Sequence, residues 1–102
     1  MYYFIGIKGS GMASLARILY DLGYEVAGSD IDKYIFLEDG LRERHIPIYS
    51  FNKDNIKDGM DVIVGNAFDR SNEEVAAAED NHNVTIHHYY DFLAKLMDDH
   101  IS

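Results

Sequence analysis

The chain has 102 residues, the size of one domain and too short for two, and its 47% hydrophobic and 26% charged residues are typical of a globular protein rather than a disordered one. Its net charge of −9 argues against nucleic acid as the main partner. The chain has no cysteine, which excludes a disulfide scaffold, a zinc finger and a thiol nucleophile and fits a reducing cytoplasm, and its short apolar runs predict no membrane span and no signal peptide.

The sequence predicts strands that alternate with helices. A first strand covers residues 2–7, and a helix follows from Met12, where apolar residues recur at helical spacing until Gly23 caps the end. A second strand covers residues 24–28. The remaining predicted elements are a helix at 34–44, strands at 46–49 and 60–64, a helix that begins with a capping box at Ser71-Asn72-Glu73-Glu74, a strand at 84–87 and a helix at 90–98.

This alternation predicts an α/β fold: a Rossmann-like, doubly wound sheet of about five parallel strands in the order 3-2-1-4-5, with helices on both faces. No proline- or serine-rich linker divides the chain, so residues 1–102 are predicted to form a single domain. Ligands of such sheets bind beyond the carboxyl ends of the strands, where the winding reverses. We therefore expect the site at the loops after the first and fourth strands, with the loop after the second strand beside them.

A glycine-rich loop, Gly6-Ile7-Lys8-Gly9-Ser10-Gly11, joins the first strand to the first helix. Glycine lets the backbone turn tightly and lets a phosphate approach the amides of a helix start, so the loop favours an anion or nucleotide site; the alternative is a tight turn without a ligand. Lys8 occupies the position of the second glycine of the dinucleotide fingerprint. It either offers a cation to a phosphate or is a solvated lysine at a loop tip. The chain contains no Gly-Lys-Ser/Thr, and hence no recognisable ATP site.

Other candidate contacts follow later strands. Asp30 ends the second strand, 19 residues after the last glycine of the loop, where an acid binds ribose hydroxyls in dinucleotide folds; otherwise it is a loop acid or a helix cap. Asn66 offers a donor and an acceptor to an amide or pyrimidine edge, or is a turn residue. Tyr89 either lines the pocket or packs the last helix. His87 and His88 are predicted to face opposite sides of a strand, which favours no metal site.

The glycine-rich loop and the segments around Asp30, Asn66 and Tyr89 resemble the N-terminal sequence of the Mur ligase family of peptidoglycan synthesis. Within that family, they resemble the members that join L-alanine to UDP-N-acetylmuramate. The resemblance extends through the whole chain, although many members have glycine at the position of Lys8. It is carried by Phe4-Ile5-Gly6-Ile7-Lys8-Gly9-Ser10-Gly11-Met12, by Leu22-Gly23-Tyr24-Glu25-Val26-Ala27-Gly28-Ser29-Asp30, by Gly65-Asn66-Ala67-Phe68 with Asn72 and Glu74, and by Tyr89 with Asp91-Phe92-Leu93.

The resemblance implies an enzyme of three domains. The first binds the UDP part of UDP-N-acetylmuramate, the central one binds ATP and Mg²⁺, and the third binds the amino acid, which attacks an acyl phosphate formed on the substrate carboxylate. The sequence stops where the family begins the strand that leads to its ATP loop. Residues 1–102 are therefore expected to be the N-terminal, UDP-binding domain of a bacterial cytoplasmic ligase, without a cofactor of its own and inactive without its central and C-terminal domains.

The resemblance also implies which residues contact the ligand, and it assigns no catalytic residue and no metal ligand to this chain. The diphosphate contacts expected from the resemblance are Gly9, Ser10, Gly11 and Met12; the expected uridine contacts are Ser29 and Asp30; and Asn66 and Ala67 are expected on the opposite wall. Lys8 departs from the family pattern, and its positive charge, not the resemblance, predicts a further contact with the diphosphate. Two other functions stay open. One is a regulatory NAD-binding domain of the kind that gates potassium uptake, and the other is a domain that uses the fold only for interaction.

Overall fold

A computed structural model describes residues 1–101 and contains one five-stranded, all-parallel sheet. The strands are β1 (Tyr2–Ile5), β2 (Val26–Ser29), β3 (Ile48–Tyr49), β4 (Asp61–Val64) and β5 (Thr85–His88). The helices are α1 (Ser10–Asp21), α2 (Glu38–Glu43), α3 (Glu73–Asp80) and α4 (Tyr89–Ile101), with one short 3₁₀ turn at Lys53–Asn55. The strand order is β3-β2-β1-β4-β5, which confirms the predicted topology.

Helices cover both faces of the sheet because neighbouring strand residues point to opposite sides. On one face, Phe4 and Ile63 pack with residues of α1, α2 and α4. On the other face, Tyr3 and Val62 pack with Val75 of α3. Within residues 1–101, no helix combines the length and the apolar character that crossing a membrane requires.

The second helix is shorter than predicted, since α2 begins at Glu38 and not near residue 34. The Glu38 side chain accepts a hydrogen bond from the Ile35 backbone N–H at 3.0 Å, which supports the start of the helix. The preceding carbonyls of Ile31 and Lys33 turn inward and accept from Lys8. Residues 34–37 therefore lead into α2 through a turn and are not part of the helix.

The start of α3 differs from the predicted capping box. Asn72, rather than Ser71, caps the helix, and its side chain accepts from the backbone N–H groups of Glu74 at 2.8 Å and Val75 at 3.4 Å. Glu74 does not reach back to the cap; it is fully buried and accepts from the Tyr3 hydroxyl. The capping-box prediction was wrong because Glu74 has partners elsewhere in the fold.

Gly28 lets the chain after β1 pack closely over β2. A Cβ at this position would lie 2.6 Å from the Phe4 carbonyl oxygen and 2.6 Å from Cδ1 of the buried Ile7. We expect Gly28→Ala to lower the free energy of unfolding by about 1–3 kcal/mol, because the core must shift to admit the methyl group. Urea denaturation measures this loss.

Gly40→Ala is the matched control for that substitution. Its Cβ would meet only the flexible end of the Arg17 side chain, and Gly40 lies within α2. Alanine favours a helix over glycine by roughly 0.5–1 kcal/mol, so this variant should be neutral or stabilised. Equal stabilities for the two variants would contradict the close packing at Gly28.

Candidate functional site

Three loops meet at the carboxyl edge of the sheet, where the winding reverses between β1 and β4. They are the β1 loop (residues 6–9), the β2 loop (residues 30–37) and the β4 loop (residues 65–72). The Ser29 carbonyl accepts from the N–H groups of Gly6 at 2.9 Å and Ile7 at 3.0 Å, and the Ile5 carbonyl accepts from the Gly65 N–H at 3.2 Å. The β1 loop is thus held between its two neighbours.

Gly6 brings the β1 and β4 loops together. Its φ of +88° lies in the left-handed region that glycine adopts without strain. A Cβ on Gly6 would overlap the ring of Phe68, which is half-buried in the β4 loop. The close approach of the two loops therefore depends on a glycine at this position.

The start of α1 presents unpaired main-chain donors at this edge. Gly9 is the N-cap, in an extended conformation, and no side chain among the described residues caps the helix. The first helical bond runs from the Ala13 N–H to the Gly9 carbonyl at 2.7 Å. The N–H groups of Ser10, Gly11 and Met12 thus precede the intrahelical bonding, and the helix dipole adds partial positive charge at this end. Such a helix start can bind a phosphate.

The start of α1 offers mainly main-chain groups of Gly9, Ser10, Gly11 and Met12. Gly9 and Ser10 are exposed, and Gly11 is half-buried. Met12 sends its side chain into the core, where it is 6% exposed, so only its amide can serve the site.

Tyr89, the first residue of α4, lies beside the same helix end. A Cβ on Gly11 would overlap the Tyr89 hydroxyl, so only glycine permits this approach. The Tyr89 ring also packs against the core. Tyr89 therefore packs the last helix, and its hydroxyl lies near the start of α1; its contact with a ligand stays a prediction.

Asp30 fastens the β1 loop to the β2 loop. Its Oδ2 accepts from the Lys8 backbone N–H at 2.8 Å, and its Oδ1 accepts from the Ile31 N–H at 2.7 Å. The residue is 8% exposed and borders a small cavity of about 80 Å³. Each carboxylate oxygen keeps a second lone pair, so Asp30 can still accept a hydrogen bond from a ligand hydroxyl.

Lys8 is not a solvated residue at a loop tip. It is 3% exposed, and its Nζ donates to the carbonyls of Ile31 at 3.0 Å and Lys33 at 2.9 Å. The same Nζ lies 3.4 Å from Oε1 of Glu38. Two of the three donors of the ammonium therefore bond to main-chain oxygens, and the Glu38 carboxylate lies close enough to balance its charge. The predicted contact with a diphosphate would require these bonds to break.

The Ser29 hydroxyl donates to Glu74, the centre of a cluster that we call the Glu74 network (Tyr3, Ser29, Asn52, Asn55 and Glu74). Tyr3, Ser29 and Glu74 are buried, Asn55 is half-buried and Asn52 is exposed. The Glu74 carboxylate accepts from the Ser29 hydroxyl, from the Tyr3 hydroxyl at 2.7 Å, from Asn55 Nδ2 at 2.9 Å and from the Asn52 N–H at 3.2 Å. Burial raises the pKa of Tyr3 well above its ordinary value of 10.0, so its phenol stays a donor. The Ser29 carbonyl thus supports the β1 loop, while its hydroxyl is engaged with Glu74.

No local sequence pattern predicts the Glu74 network, because Tyr3 and Glu74 are 71 residues apart in the chain. The available signal is a tyrosine within a strand that is otherwise apolar, since a buried hydroxyl usually finds a partner.

Asn66 and Ala67 are exposed in the β4 loop, in a turn closed by the Phe68 N–H and the Gly65 carbonyl at 3.1 Å. Within the described side chains, no group of three His, Asp or Glu residues could hold a metal ion. His87 instead lies 3.1 Å from Asp61 and packs against Phe92.

A cavity of about 500 Å³ opens beside the β4 loop. Its lining includes Val64, Phe68, Arg70, Ile86 and His88, and none of the nine residues predicted to contact the ligand. The candidate site is instead an open edge, because main-chain amides at a helix start bind an anion without enclosing it.

One family model, described as the Mur ligase family, catalytic domain, matches residues 1–101. Two solved structures are similar over nearly the whole chain. The UDP-N-acetylmuramate-alanine ligase of Thermotoga maritima has a TM-score of 0.87 and 27% identity, over 98% of this chain and 23% of that one. The UDP-N-acetylmuramate:L-alanyl-gamma-D-glutamyl-meso-diaminopimelate ligase of Neisseria meningitides has a TM-score of 0.76 and 28% identity, over 92% of this chain and 30% of that one. The chain thus spans less than a third of either ligase.

Proposed function

The chain belongs to the Mur ligase family, and from that premise we propose that it binds the UDP end of UDP-N-acetylmuramate for such a ligase. The observation that carries the proposal is the uncapped start of α1 at the reversal point of the sheet. Both similar ligases are named for UDP-N-acetylmuramate. A ligand with a diphosphate matches the chemistry of exposed amides at a helix start.

In this proposal the diphosphate oxygens accept from the N–H groups of Ser10, Gly11 and Met12, and the Tyr89 hydroxyl adds a further donor. The amides supply direction as well as partial charge. This suits a chain of net charge −9, whose long-range field repels an anion, because the contacts act only at short range.

The uridine part extends from the diphosphate toward the β2 loop. The Asp30 carboxylate accepts from the ribose hydroxyls, and Asn66 and Ala67 form the opposite wall, where the Asn66 amide can donate and accept at the edge of the base. The chain supplies binding and orientation in this scheme, and the bond-forming chemistry lies elsewhere in the enzyme.

We propose L-alanine as the amino acid that the whole enzyme adds. The supporting observation is the TM-score, 0.87 with the alanine ligase against 0.76 with the other ligase, while the identities of 27% and 28% do not separate the two. ATP and Mg²⁺ would be bound by the central domain, and the central and C-terminal domains would be the partners of this one. The enzyme would act in the bacterial cytoplasm.

The family match does not favour the alternative function, a regulatory NAD-binding domain. In the dinucleotide fingerprint the second glycine lets the backbone approach the pyrophosphate. Here that position is Lys8, whose side chain is buried in contacts with the β2 loop.

A ligand panel tests the proposal. We expect UDP and UDP-N-acetylmuramate to raise the thermal midpoint of the chain, and NADH and ATP to leave it unchanged. A ligand at one hundred times its dissociation constant adds about 2.7 kcal/mol of stability, which such an assay detects. Phosphate release from ATP with UDP-N-acetylmuramate and L-alanine should stay at background. Stabilisation by NADH without any by UDP would contradict the proposal.

A further inference from the structure

The buried ammonium of Lys8, a residue of the β1 loop, donates to two main-chain carbonyls of the β2 loop. Removing a charge from water is costly unless it is paired and hydrogen-bonded. Lys8 Nζ donates to two carbonyls and lies beside a carboxylate only when the β2 loop adopts its present path. The position of the Lys8 charge and the conformation of the loop are therefore coupled.

Glu38, the first residue of α2, contacts the C-terminal end of the β2 loop. It is 2% exposed, and besides Lys8 it accepts from the Ile35 N–H at 3.0 Å and from Arg42 Nε at 2.7 Å. Burial alone would favour the neutral acid, but the hydrogen bonds from Ile35 and Arg42 and the charge of Lys8 hold the pKa of Glu38 below its ordinary value. The carboxylate stays ionised at neutral pH and completes the contact with Lys8.

The outer side of the β2 loop carries exposed apolar side chains. Ile31, Tyr34 and Phe36 are 48%, 60% and 72% exposed, which is unusual for apolar side chains in one short segment. The main chain of the loop is held from inside, and Ile31 lines the small cavity beside Asp30. The arrangement suits a preorganised surface more than a loop that orders on binding.

We propose that Lys8 is a positioning residue of the nucleotide site: its ammonium fixes the β2 loop so that Asp30 and the exposed apolar side chains meet the uridine part of the ligand. The backbone N–H of the same residue orients the Asp30 carboxylate. The ammonium itself does not contact the phosphates. This inference rests on the proposed function, because it assigns a role within that site.

Lys8→Met tests the inference, since it keeps the length of the side chain and removes the charge. Without ligand, hydrogen exchange of the Ile31 and Ile35 amides, whose N–H groups bond to Asp30 and Glu38, should become roughly tenfold faster or more, because the internal contact that holds the loop is lost. UDP and uridine should lose affinity by a similar factor. The salt dependence of UDP binding should match that of Lys57→Met, an exposed charge change before β4 at the opposite edge of the sheet.

A direct contact between the Lys8 ammonium and the phosphates predicts a different result. The affinity for UDP would fall while the affinity for uridine stayed unchanged, and the salt dependence of UDP binding would be flatter than in Lys57→Met. The exchange rates would not change, and any of these results overturns the inference. The exchange experiment contains no ligand, so it judges the role of Lys8 even if the wild-type chain fails to bind UDP. That failure would count against the proposed function alone.

Should Lys8→Met not fold, Glu38→Gln weakens the same tie from the other side. It keeps the shape of the side chain and leaves both carbonyl bonds of Lys8 in place. The Ile35 N–H bonds directly to Glu38, so faster exchange there reports only the weakening of that bond. The Ile31 N–H bonds to Asp30, so faster exchange at the Ile31 amide is the result expected if the contact through Lys8 holds the loop. Unchanged exchange at the Ile31 amide would refute the positioning role.

Discussion

Glu74→Ala should lower the free energy of unfolding by about 3–5 kcal/mol, since it removes the acceptor of a buried network and leaves several donors without a partner. Tyr3 and Ser29 are 1% and 0% exposed, so water cannot replace the lost carboxylate at either hydroxyl. Asn52 and Asn55 lose the same partner. For a domain of this size each kcal/mol shifts the thermal midpoint by roughly 4–8 °C.

Glu73→Ala is the matched control for that substitution. Glu73 is the neighbouring residue in the first turn of α3, carries the same charge and is exposed. Surface substitutions of this kind usually change stability by less than about 0.5 kcal/mol. Urea denaturation of both variants separates the network from the general effect of charge. Similar small losses in both variants would show that Glu74 is not the centre of a stabilising network.

Asp30→Ala should weaken UDP and uridine alike, by a factor of roughly ten or more, because one lost hydrogen bond to a charged group is worth about 1.5–3 kcal/mol. The carboxylate is expected to accept from the ribose, which both ligands contain. It also orders the N–H groups of Lys8 and Ile31, so its loss loosens the junction of two loops. Calorimetric titration of both ligands measures the effect.

Asp32→Ala is the control for that measurement. Asp32 lies two residues further along the β2 loop, is exposed, and accepts from the Ser50 hydroxyl at 2.6 Å. Asp32→Ala removes the same charge without changing a contact with the β1 loop, so its effect on the affinity for UDP should be small. Equal losses for the two variants would reduce the role of Asp30 to long-range charge, and unchanged binding in Asp30→Ala would make it a loop residue only.

The topology could be predicted because it depends on patterns that are local in the chain. Short apolar strands alternate with helical spacing, and the rules of parallel sheets leave few arrangements of such elements. Boundaries set by distant contacts could not be predicted in this way. Glu38, the first residue of α2, lies 3.4 Å from Lys8 Nζ, and Glu74 in the first turn of α3 accepts from the distant Tyr3 hydroxyl.

The same distinction holds at the candidate site. The glycine loop and the helix start follow from a motif and its strand–turn–helix context. The orientation of a polar side chain depends on partners far along the chain. Ser29 meets Glu74 at a separation of 45 residues, and Lys8 meets residues of the β2 loop more than 20 positions away, so both side chains turn inward although their motif suggests a ligand.

The central claim is that the first turn of α1 holds the diphosphate of a uridine nucleotide. Nuclear magnetic resonance of the ¹⁵N-labelled chain tests it directly, through the amide shifts caused by UDP and by uridine. We expect UDP to move the amides of Ser10, Gly11 and Met12 strongly, and uridine to move chiefly those around Asp30. Saturating UDP that leaves the three α1 amides in place, or that moves only amides around the cavity lined by Val64 and His88, would contradict the account.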